Sequence, residues 1–154
     1  MITGGPGDDP TYLAEVAAAI GEEPIVLAGK LTLTEIRALI EGAAIYVGVD
    51  TSTTHMAAAL GAPTLAIYGP GPTRRWAPWP CGYASAEPPF RGVAGVARVG
   101  NVCLVKAECP CGVDYRFGCG IEIPGRSRCL EKLPAETVVD AALALLANPA
   151  PSGA

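Results

Sequence analysis

The sequence predicts an α/β fold in which a parallel sheet is flanked by helices. Short β-rich apolar runs alternate with helical patterns, and the links between them are short. The apolar runs are continuous, which is typical of strands buried in a parallel sheet. Right-handed crossovers between such elements give a Rossmann-like, doubly wound sheet. The chain has 154 residues, 50% of them hydrophobic, and we predict a single domain over residues 1–154.

The first part of the chain contains two predicted helices, each with a recognisable N-terminal signal. Residues 10–20 are predicted to form a helix, with Asp9 as its N-cap and Pro10 at its first position. Residues 25–28 are an apolar run of strand length. Thr32 and Glu35 form a capping box that begins a second helix.

Two strands and the helix between them follow. Residues 45–49 and 64–68 are apolar and β-rich, and residues 53–60 are an Ala-rich helical segment. The three predicted strands should be parallel neighbours in one sheet. Because parallel strands end at the same edge, Asp50 and Gly69 should lie at that edge together.

The periodicity fades after residue 69. A region rich in Pro, Gly and Cys at about residues 69–132 is predicted to form long ordered loops. Residues 134–147 are predicted to form an amphipathic helix. The predicted apolar face of this helix consists of Val138, Ala142, Leu145 and Leu146.

The beginning of the sequence is unusual for a domain. Residues 1–3 are typical of the end of a buried strand, and the Gly-rich residues 4–7 of the turn after it. Because a domain rarely begins with the end of a strand, we expect the chain to be a fragment or a truncated product.

Charge and hydropathy restrict the partners. The net charge is −4 at pH 7 and no run of Lys and Arg stands out, which disfavours a nucleic-acid or anionic-membrane surface. No apolar stretch is long enough to span a bilayer, and the N-terminus lacks the pattern of a secretion signal. The expected location is the cytoplasm, and a peripheral association of the full-length protein with the inner membrane is left open.

The most informative segment follows the strand at residues 45–49. Asp50 precedes the hydroxyl residues Thr51, Ser52 and Thr53, and then comes a helix that contains His55. A helix N-terminus offers unpaired N–H groups and a partial positive charge, which suit a diphosphate. A carboxylate beside it suits the hydroxyls of a sugar. On the residues alone, these side chains could equally serve only as helix caps.

Several motifs occur in order between residues 31 and 78. They are Thr32-Leu33, Ala43-Ala44, Asp50-Thr51-Ser52-Thr53-Thr54-His55, Ala57-Ala58-Ala59-Leu60-Gly61-Ala62-Pro63-Thr64 and Tyr68-Gly69-Pro70. In this order they resemble the carboxyl-terminal domain of glycosyltransferase family 9, the ADP-heptose:lipopolysaccharide heptosyltransferases. The resemblance implies the C-terminal half of a GT-B glycosyltransferase.

The resemblance also implies roles for individual residues. Asp50 would contact the donor sugar, and Thr51, Ser52 and Thr53 would hold its diphosphate. His55 matches the histidine of the motif and is expected to orient the loop rather than to transfer a proton. Ser52 stands where the family usually has Gly, so a backbone conformation that needs Gly would carry a cost here.

Further donor-binding candidates lie on neighbouring loops. In the family an acidic residue after an earlier strand contacts the ribose, and Asp8 or Asp9 would be its equivalent. The alternative for Asp9 is a helix cap. Gly69 and Thr73 follow a later strand and would face the same cleft.

The implied reaction is inverting transfer of a heptose, or a similar sugar, from an ADP-sugar to a lipopolysaccharide-type acceptor, without a cofactor or catalytic metal. The amino-terminal half, with the acceptor surface and the general base, is expected to be absent, so no residue of this chain is predicted to be catalytic. The alternative from a different class is a non-catalytic module that binds a nucleotide or, through its cysteines, a structural metal.

The cysteines are compatible with three chemical states. Cys109, Cys111, Cys119 and Cys129 form a cluster in the sequence, with Cys103 nearby and Cys81 further away. Four thiolates can hold a structural zinc ion, but zinc sites favour pairs separated by two residues, and the closest pair here is separated by one. The second state is a set of packed thiols, and the third, in an oxidising compartment, is a set of disulfides.

Overall fold

The computed structural model describes residues 1–5, 7–109 and 127–148. The chain divides into two compact units, Met1–Ala38 and Leu39–Ala154. In the described ranges, no helix combines the length and the apolar character needed to cross a membrane.

The first unit contains the predicted N-terminal helix, α1 (Pro10–Ala19). Its N-cap is Asp9, as predicted, because Oδ1 of Asp9 accepts a hydrogen bond from the amide of Thr11 at 2.9 Å. The chain then leaves the helix at Gly21, which has a φ of 71°. A positive φ at this point is favourable only for Gly.

The prediction of a full strand at residues 25–28 is wrong. In this segment Val26 forms an isolated parallel bridge with Ile2, outside the strands of the main sheet. Pro24 has no N–H to continue the pairing on one side, and Gly29 turns the chain with a φ of 68° on the other. A single bridge between Val26 and Ile2 therefore takes the place of the expected strand.

Helix α2 (Leu33–Glu41) begins at the predicted capping box. The amide of Thr32 donates to Oε2 of Glu35 at 2.8 Å, and the amide of Glu35 donates to Oγ1 of Thr32 at 3.3 Å. The bonds from the backbone and the hydroxyl of Thr32 lower the pKa of Glu35. Both signatures of the box are thus confirmed.

The second unit is built on a mixed four-stranded sheet. Its strands are β1 (Tyr46–Val49), β2 (Thr64–Tyr68), β3 (Gly95–Val99) and β4 (Val102–Lys106), in the spatial order β1-β2-β4-β3. The first three strands of this order are parallel, and β3 is antiparallel to β4. The α/β class is confirmed, whereas the prediction of an all-parallel sheet is wrong because β3 and β4 form a hairpin.

The β3–β4 hairpin lies in the region that was predicted to contain only loops. Its two-residue connection consists of Gly100, with a φ of 55°, and Asn101. Gly followed by Asn between two β-rich runs is a hairpin signal that the abundance of neighbouring Pro and Gly concealed.

β1 differs from the prediction of a strand buried on both faces. Val47 and Val49 are each 49% exposed, and the intervening residues are half-buried. β1 is an edge strand of the sheet, whereas most of the buried strand residues belong to the central strands β2 and β4. This position explains the exposure of β1.

In the described part of the second unit, the sheet is accompanied by the helices α3 (Ser52–Ala59), α4 (Thr73–Trp76), α5 (Arg128–Glu131) and α6 (Ala135–Ala147). Alternate residues of β2 and β4 contribute to two cores. One core comprises Ala58, Ala66, Tyr68, Ala77, Phe90, Val102 and Leu104. The other comprises Leu65, Cys103, Val105, Ala141 and Leu145.

The predicted C-terminal helix is confirmed as α6, with one correction to its apolar face. Leu145 is buried, and Val138 and Ala142 pack against the same core. Leu146 is 42% exposed, and Ala141 is buried in its place. Successive residues are rotated by about 100° around a helix, which places Leu146 at the margin of the stripe centred on Val138, Ala141 and Leu145.

Candidate functional site

The candidate site lies at the edge where β1, β2 and β4 have their carboxyl ends. Asp50 directly follows β1, and Gly69 directly follows β2, so their predicted position at one edge is confirmed. Tyr68 pairs with Lys106, the last residue of β4. The edge therefore presents Asp50, Tyr68 and Lys106 on three successive strands.

Two side chains hold the carboxylate of Asp50. The hydroxyl of Tyr68 lies 3.1 Å from Oδ1 of Asp50 and donates to it, and Nε2 of His55 lies 3.6 Å from the same oxygen. The side chains of Asp50 and His55 are 40% and 41% exposed. The carboxylate is thus oriented by the protein and remains accessible from solvent.

Tyr68 was not among the predicted site residues. Its hydroxyl also donates to the carbonyl oxygen of Trp76 at 2.7 Å, so one proton is shared between two acceptors. Burial and then the nearby Asp50 carboxylate raise the pKa of Tyr68, which therefore keeps its proton at neutral pH. A Tyr at the end of a predicted strand of mostly aliphatic residues is the sequence feature that could have identified it.

A cluster of hydroxyl groups connects β1 to the start of α3. The hydroxyl of Tyr46 lies 2.8 Å from Oγ1 of Thr53, which lies 3.0 Å from Oγ1 of Thr51. Thr54 is fully buried and donates through Oγ1 to the carbonyl of Val49 at 2.5 Å. These bonds fix the first turn of α3 against the end of β1.

Gly48 is needed beneath this cluster. A Cβ atom at Gly48 would stand 2.6 Å from the hydroxyl of Tyr46 and 2.8 Å from Oγ1 of Thr54. Real Cβ contacts do not come this close, so any other residue would displace the hydroxyls.

The side chain at the N-cap position of α3 does not cap the helix. Thr51 occupies the N-cap position, but its side chain accepts no hydrogen bond from a first-turn amide. The alternative that the side chain of Thr51 serves as a helix cap is therefore wrong. Ser52 is the first helical residue, and among the described residues only glycines have a positive φ. The departure from Gly at Ser52 thus causes no backbone strain.

The remaining predicted candidates lie in different surroundings. Gly69 lies close to α5, because a Cβ atom there would be 3.3 Å from Oγ of Ser127. Thr73, the first residue of α4, is only 3% exposed. Asp9 belongs to the first unit, where it caps α1, and Asp8 there accepts a hydrogen bond from the amide of Gly5 at 2.8 Å.

Lys106 is a second residue that the sequence analysis did not identify. Its Nζ donates to the carbonyl of Gly71 at 3.2 Å, which fastens the loop after β2 to the end of β4. A cation at this edge is compatible with an anionic ligand. The residue was missed because β4 itself was not predicted.

The geometry of the cysteines does not select one of the three chemical states. The thiols of Cys109 and Cys129 are hydrogen-bonded to each other, whereas Cys111 and Cys119 lie outside the described residues. Within the described ranges, no three His, Cys, Asp or Glu side chains are grouped as ligands of one metal ion. The alternative of a structural zinc ion is therefore untested.

The second unit belongs to the class of α/β domains with a mixed sheet and flanking helices. In open α/β sheets, ligands commonly bind beyond the carboxyl ends of the strands. Residues 1–84 match the model of glycosyltransferase family 9 (heptosyltransferase), and the chain belongs to this family.

The chain is also similar to two curated proteins named lipopolysaccharide heptosyltransferase 3, one from Escherichia coli and one from Escherichia coli strain K12. Each is 37% identical over 81 residues, which cover 51% of this chain and 24% of the relative. The chain thus spans about a quarter of the length of these relatives. No solved structure matches the chain.

Proposed function

We propose that this chain is the nucleotide-sugar-binding part of an inverting heptosyltransferase in the synthesis of lipopolysaccharide or a related glycan. The donor would be an ADP-heptose-like sugar, bound by residues 50–55. Membership of glycosyltransferase family 9 and the names of the two relatives support the reaction class. The proposal includes a GT-B architecture, in which this chain is the carboxyl-terminal half.

The position of the Asp50 carboxylate carries the proposal. Tyr68 and His55 hold it at the sheet edge while it stays accessible. A fixed carboxylate accepts hydrogen bonds from sugar hydroxyls without first losing side-chain freedom. The charged acceptor also makes each of these bonds stronger than a neutral one.

The start of α3 suits the diphosphate of the same donor. The Thr51 side chain caps no first-turn amide, and the helix adds its positive end. Of these amides, that of Thr54 donates to the carbonyl of Thr51 at 3.1 Å. When the sugar leaves ADP, negative charge grows on the diphosphate, and amides already directed at it would stabilise that charge. The acceptor surface and the general base would come from the amino-terminal half of the full-length protein.

Substitution of Asp50 tests the proposal. Asp50→Ala should weaken binding of ADP-heptose by roughly tenfold to a hundredfold, because a charged hydrogen bond is worth about 1.5–3 kcal/mol. Binding of ADP should change little. Isothermal titration calorimetry of both ligands, on this chain and on the full-length protein, measures the difference.

Two variants sharpen this experiment. Asp50→Asn keeps the shape and removes the charge, and should lie between the wild type and Asp50→Ala. Asp140→Ala removes an exposed carboxylate from α6 and should leave both affinities unchanged. Equal weakening of ADP and ADP-heptose by Asp50→Ala would contradict a sugar contact. Absence of binding even in the full-length protein would favour the non-catalytic module.

A further inference from the structure

Two cysteine side chains of the second unit meet at α5. Cys109 follows the end of β4, and Cys129 is the second residue of α5. Their thiols are hydrogen-bonded to each other, and both cysteines are free. The fold therefore brings two reduced sulfurs into contact from segments that are distant in the sequence.

Both thiols are carried by ordered parts of the fold. Cys129 is only 2% exposed, and the hydroxyl of Ser127 caps the helix that carries it. On the other side, the amide of Ala107 donates to the carbonyl of Tyr68 at 2.8 Å, so the pairing of β4 with β2 continues toward Cys109. The contact between the two sulfurs is thus a fixed feature of the second unit.

The surroundings of the two sulfurs differ. Cys109 is half-buried, so a small molecule can approach it from solvent, whereas Cys129 is buried. Burial and the hydrogen bond to Cys109 raise the pKa of Cys129 to about 11. Cys129 therefore keeps its proton at neutral pH and directs it at the sulfur of Cys109. An accessible thiol in contact with a buried one is the arrangement of an attacking and a resolving cysteine.

We propose that Cys109 and Cys129 form a site of reversible oxidation, at which hydrogen peroxide converts the two thiols into a disulfide. The deprotonated sulfur of Cys109 attacks one peroxide oxygen, the O–O bond breaks, and the departing hydroxide takes up a proton and leaves as water.

The buried thiol completes the reaction. The sulfur of Cys129 attacks the sulfenic acid on Cys109, so an S–S bond forms and the S–O bond breaks. The hydroxide that leaves takes up the proton of Cys129 as a second water. Two electrons pass from the thiols to the peroxide, and a dithiol reductant reverses the change.

The disulfide would fasten α5 to the segment that follows β4. α5 borders the candidate site, because a Cβ atom at Gly69 would lie 3.3 Å from Oγ of Ser127 and 3.4 Å from Leu130. A cross-link suppresses the local openings in which α5 leaves this position. The oxidation state of the pair thus sets how readily this border of the site opens, whatever ligand the site binds.

A metal site fits the two thiols less well. Structural zinc sites almost always have four protein ligands. Within the ranges that the structure describes, no third His, Cys, Asp or Glu side chain is grouped with Cys109 and Cys129 as a ligand. Two thiols that contact each other meet the requirement of a disulfide without further groups.

Peptide mapping by mass spectrometry under non-reducing conditions tests the proposal. After treatment of the reduced chain with an equimolar amount of hydrogen peroxide, the map should contain a cross-linked peptide pair that joins Cys109 to Cys129. Dithiothreitol should separate the pair. In Cys129→Ser the cross-link should be lost, and dimedone, which traps sulfenic acids, should label Cys109.

Two control variants address the other cysteines. Cys81→Ser removes an exposed thiol outside the pair and should leave the cross-link unchanged. Cys111→Ser combined with Cys119→Ser should form the same cross-link as the wild type.

Amide hydrogen exchange measures the effect on α5. Oxidation of the wild type should slow exchange in α5 by about tenfold or more, and dithiothreitol should restore the original rate. Exchange in α6 serves as the internal reference and should change little. Cys129→Ser should show no response of α5 to peroxide.

Three outcomes would overturn the inference. The first is a map in which peroxide joins other cysteines while Cys109 and Cys129 stay reduced. The second is one bound zinc ion per chain, found by elemental analysis of protein purified without added metal and released by peroxide, because the thiols would then be metal ligands. The third is exchange in α5 that does not respond to oxidation, which would refute the fastening of α5.

Discussion

The hydroxyl of Tyr68 lies 3.1 Å from Oδ1 of Asp50, although 18 positions separate the two residues in the sequence. The parallel pairing of β1 and β2 produces this contact, because it brings the end of one strand beside the end of the next. The buried phenol thereby orients a carboxylate at the edge where β1, β2 and β4 have their carboxyl ends. It also links that carboxylate to α4 through the carbonyl of Trp76.

Tyr68→Phe should make the fold less sensitive to alkali. Burial and the Asp50 carboxylate raise the folded-state pKa of Tyr68, so the unfolded chain releases this proton at a lower pH than the folded chain. The stabilisation is complete below the unfolded pKa of about 10 and falls as the pH rises above it. The slope for one proton is about 1.4 kcal/mol per pH unit.

Urea unfolding at pH 8 to 11 measures this effect. At pH 8 Tyr68→Phe should be less stable than the wild type by about 1–3 kcal/mol, because the Trp76 carbonyl loses its donor. Above pH 10 the difference should shrink. Tyr46→Phe removes a neighbouring hydroxyl that does not contact Asp50 and serves as the control. If the free energies of unfolding of wild type and Tyr68→Phe fell in parallel with rising pH, the raised pKa of Tyr68 would be contradicted.

Features with a local signal were predictable from the sequence. The capping box of Thr32 and Glu35 needs only a spacing of three residues, and the N-cap at Asp9 needs only its neighbours. The shared edge of Asp50 and Gly69 followed from strand–helix alternation, because parallel strands must end on the same side.

Features that depend on pairing between distant segments were not predictable in the same way. The contact of Tyr68 with Asp50 depends on strand register, and the position of Lys106 depends on β4 pairing with β2. β4 is a continuous, mostly buried apolar run like β2, but it lies within the region rich in Pro, Gly and Cys, whose composition predicted loops. The exposure of Val47 depends on strand order, which a single apolar run does not encode.

Gly48→Ala should disrupt the hydroxyl cluster. The added methyl group would lie within 2.8 Å of Oγ1 of Thr54 and closer still to the hydroxyl of Tyr46, so both must move. We expect a loss of about 1–3 kcal/mol in the free energy of unfolding, typical of overpacking. Gly71→Ala is the matched control, because no atom lies within 4 Å of the position of its Cβ. Equal effects of the two substitutions would mean that general glycine flexibility matters and close packing at Gly48 does not.

Asn101→Asp should destabilise the second unit while preserving the shape of the side chain. Nδ2 of Asn101 donates to the carbonyls of Ala58 and Ala62 at 3.0 and 2.8 Å, and Oδ1 accepts from the amide of Cys81. An oxygen in place of Nδ2 would face two carbonyl oxygens without a proton to share at neutral pH. The expected cost is at least about 1–3 kcal/mol in urea unfolding.

The pH dependence of this variant gives an independent check. Protonation of the new carboxyl supplies one donor, so the stability difference between Asn101→Asp and wild type should narrow as the pH falls. Asn101→Ala cannot regain a donor and should show no such recovery. A constant difference for Asn101→Asp at all pH values would mean that the lost bonds to Ala58 and Ala62 are not the cause.

The cysteines of the second unit should differ widely in their reaction with iodoacetamide at pH 7.5. Cys81 is exposed, whereas Cys103 and Cys129 are buried. Burial raises the pKa of Cys103, and burial together with the hydrogen bond to Cys109 raises the pKa of Cys129 to about 11. Only the thiolate reacts, so both the low thiolate population and the lack of access protect these two thiols.

Peptide mapping by mass spectrometry after timed alkylation measures the three rates. Cys81 should be modified first, and Cys103 and Cys129 only after urea removes their protection. Cys81→Ser should abolish the early modification at that site and leave the protection of Cys103 and Cys129 unchanged. If Cys129 reacted as fast as Cys81 in the native protein, α5 would have to open readily, because a thiol packed in that helix cannot otherwise meet the reagent. If Cys103 alone reacted early, the exposed segment would instead be β4, which would contradict its central place in the sheet.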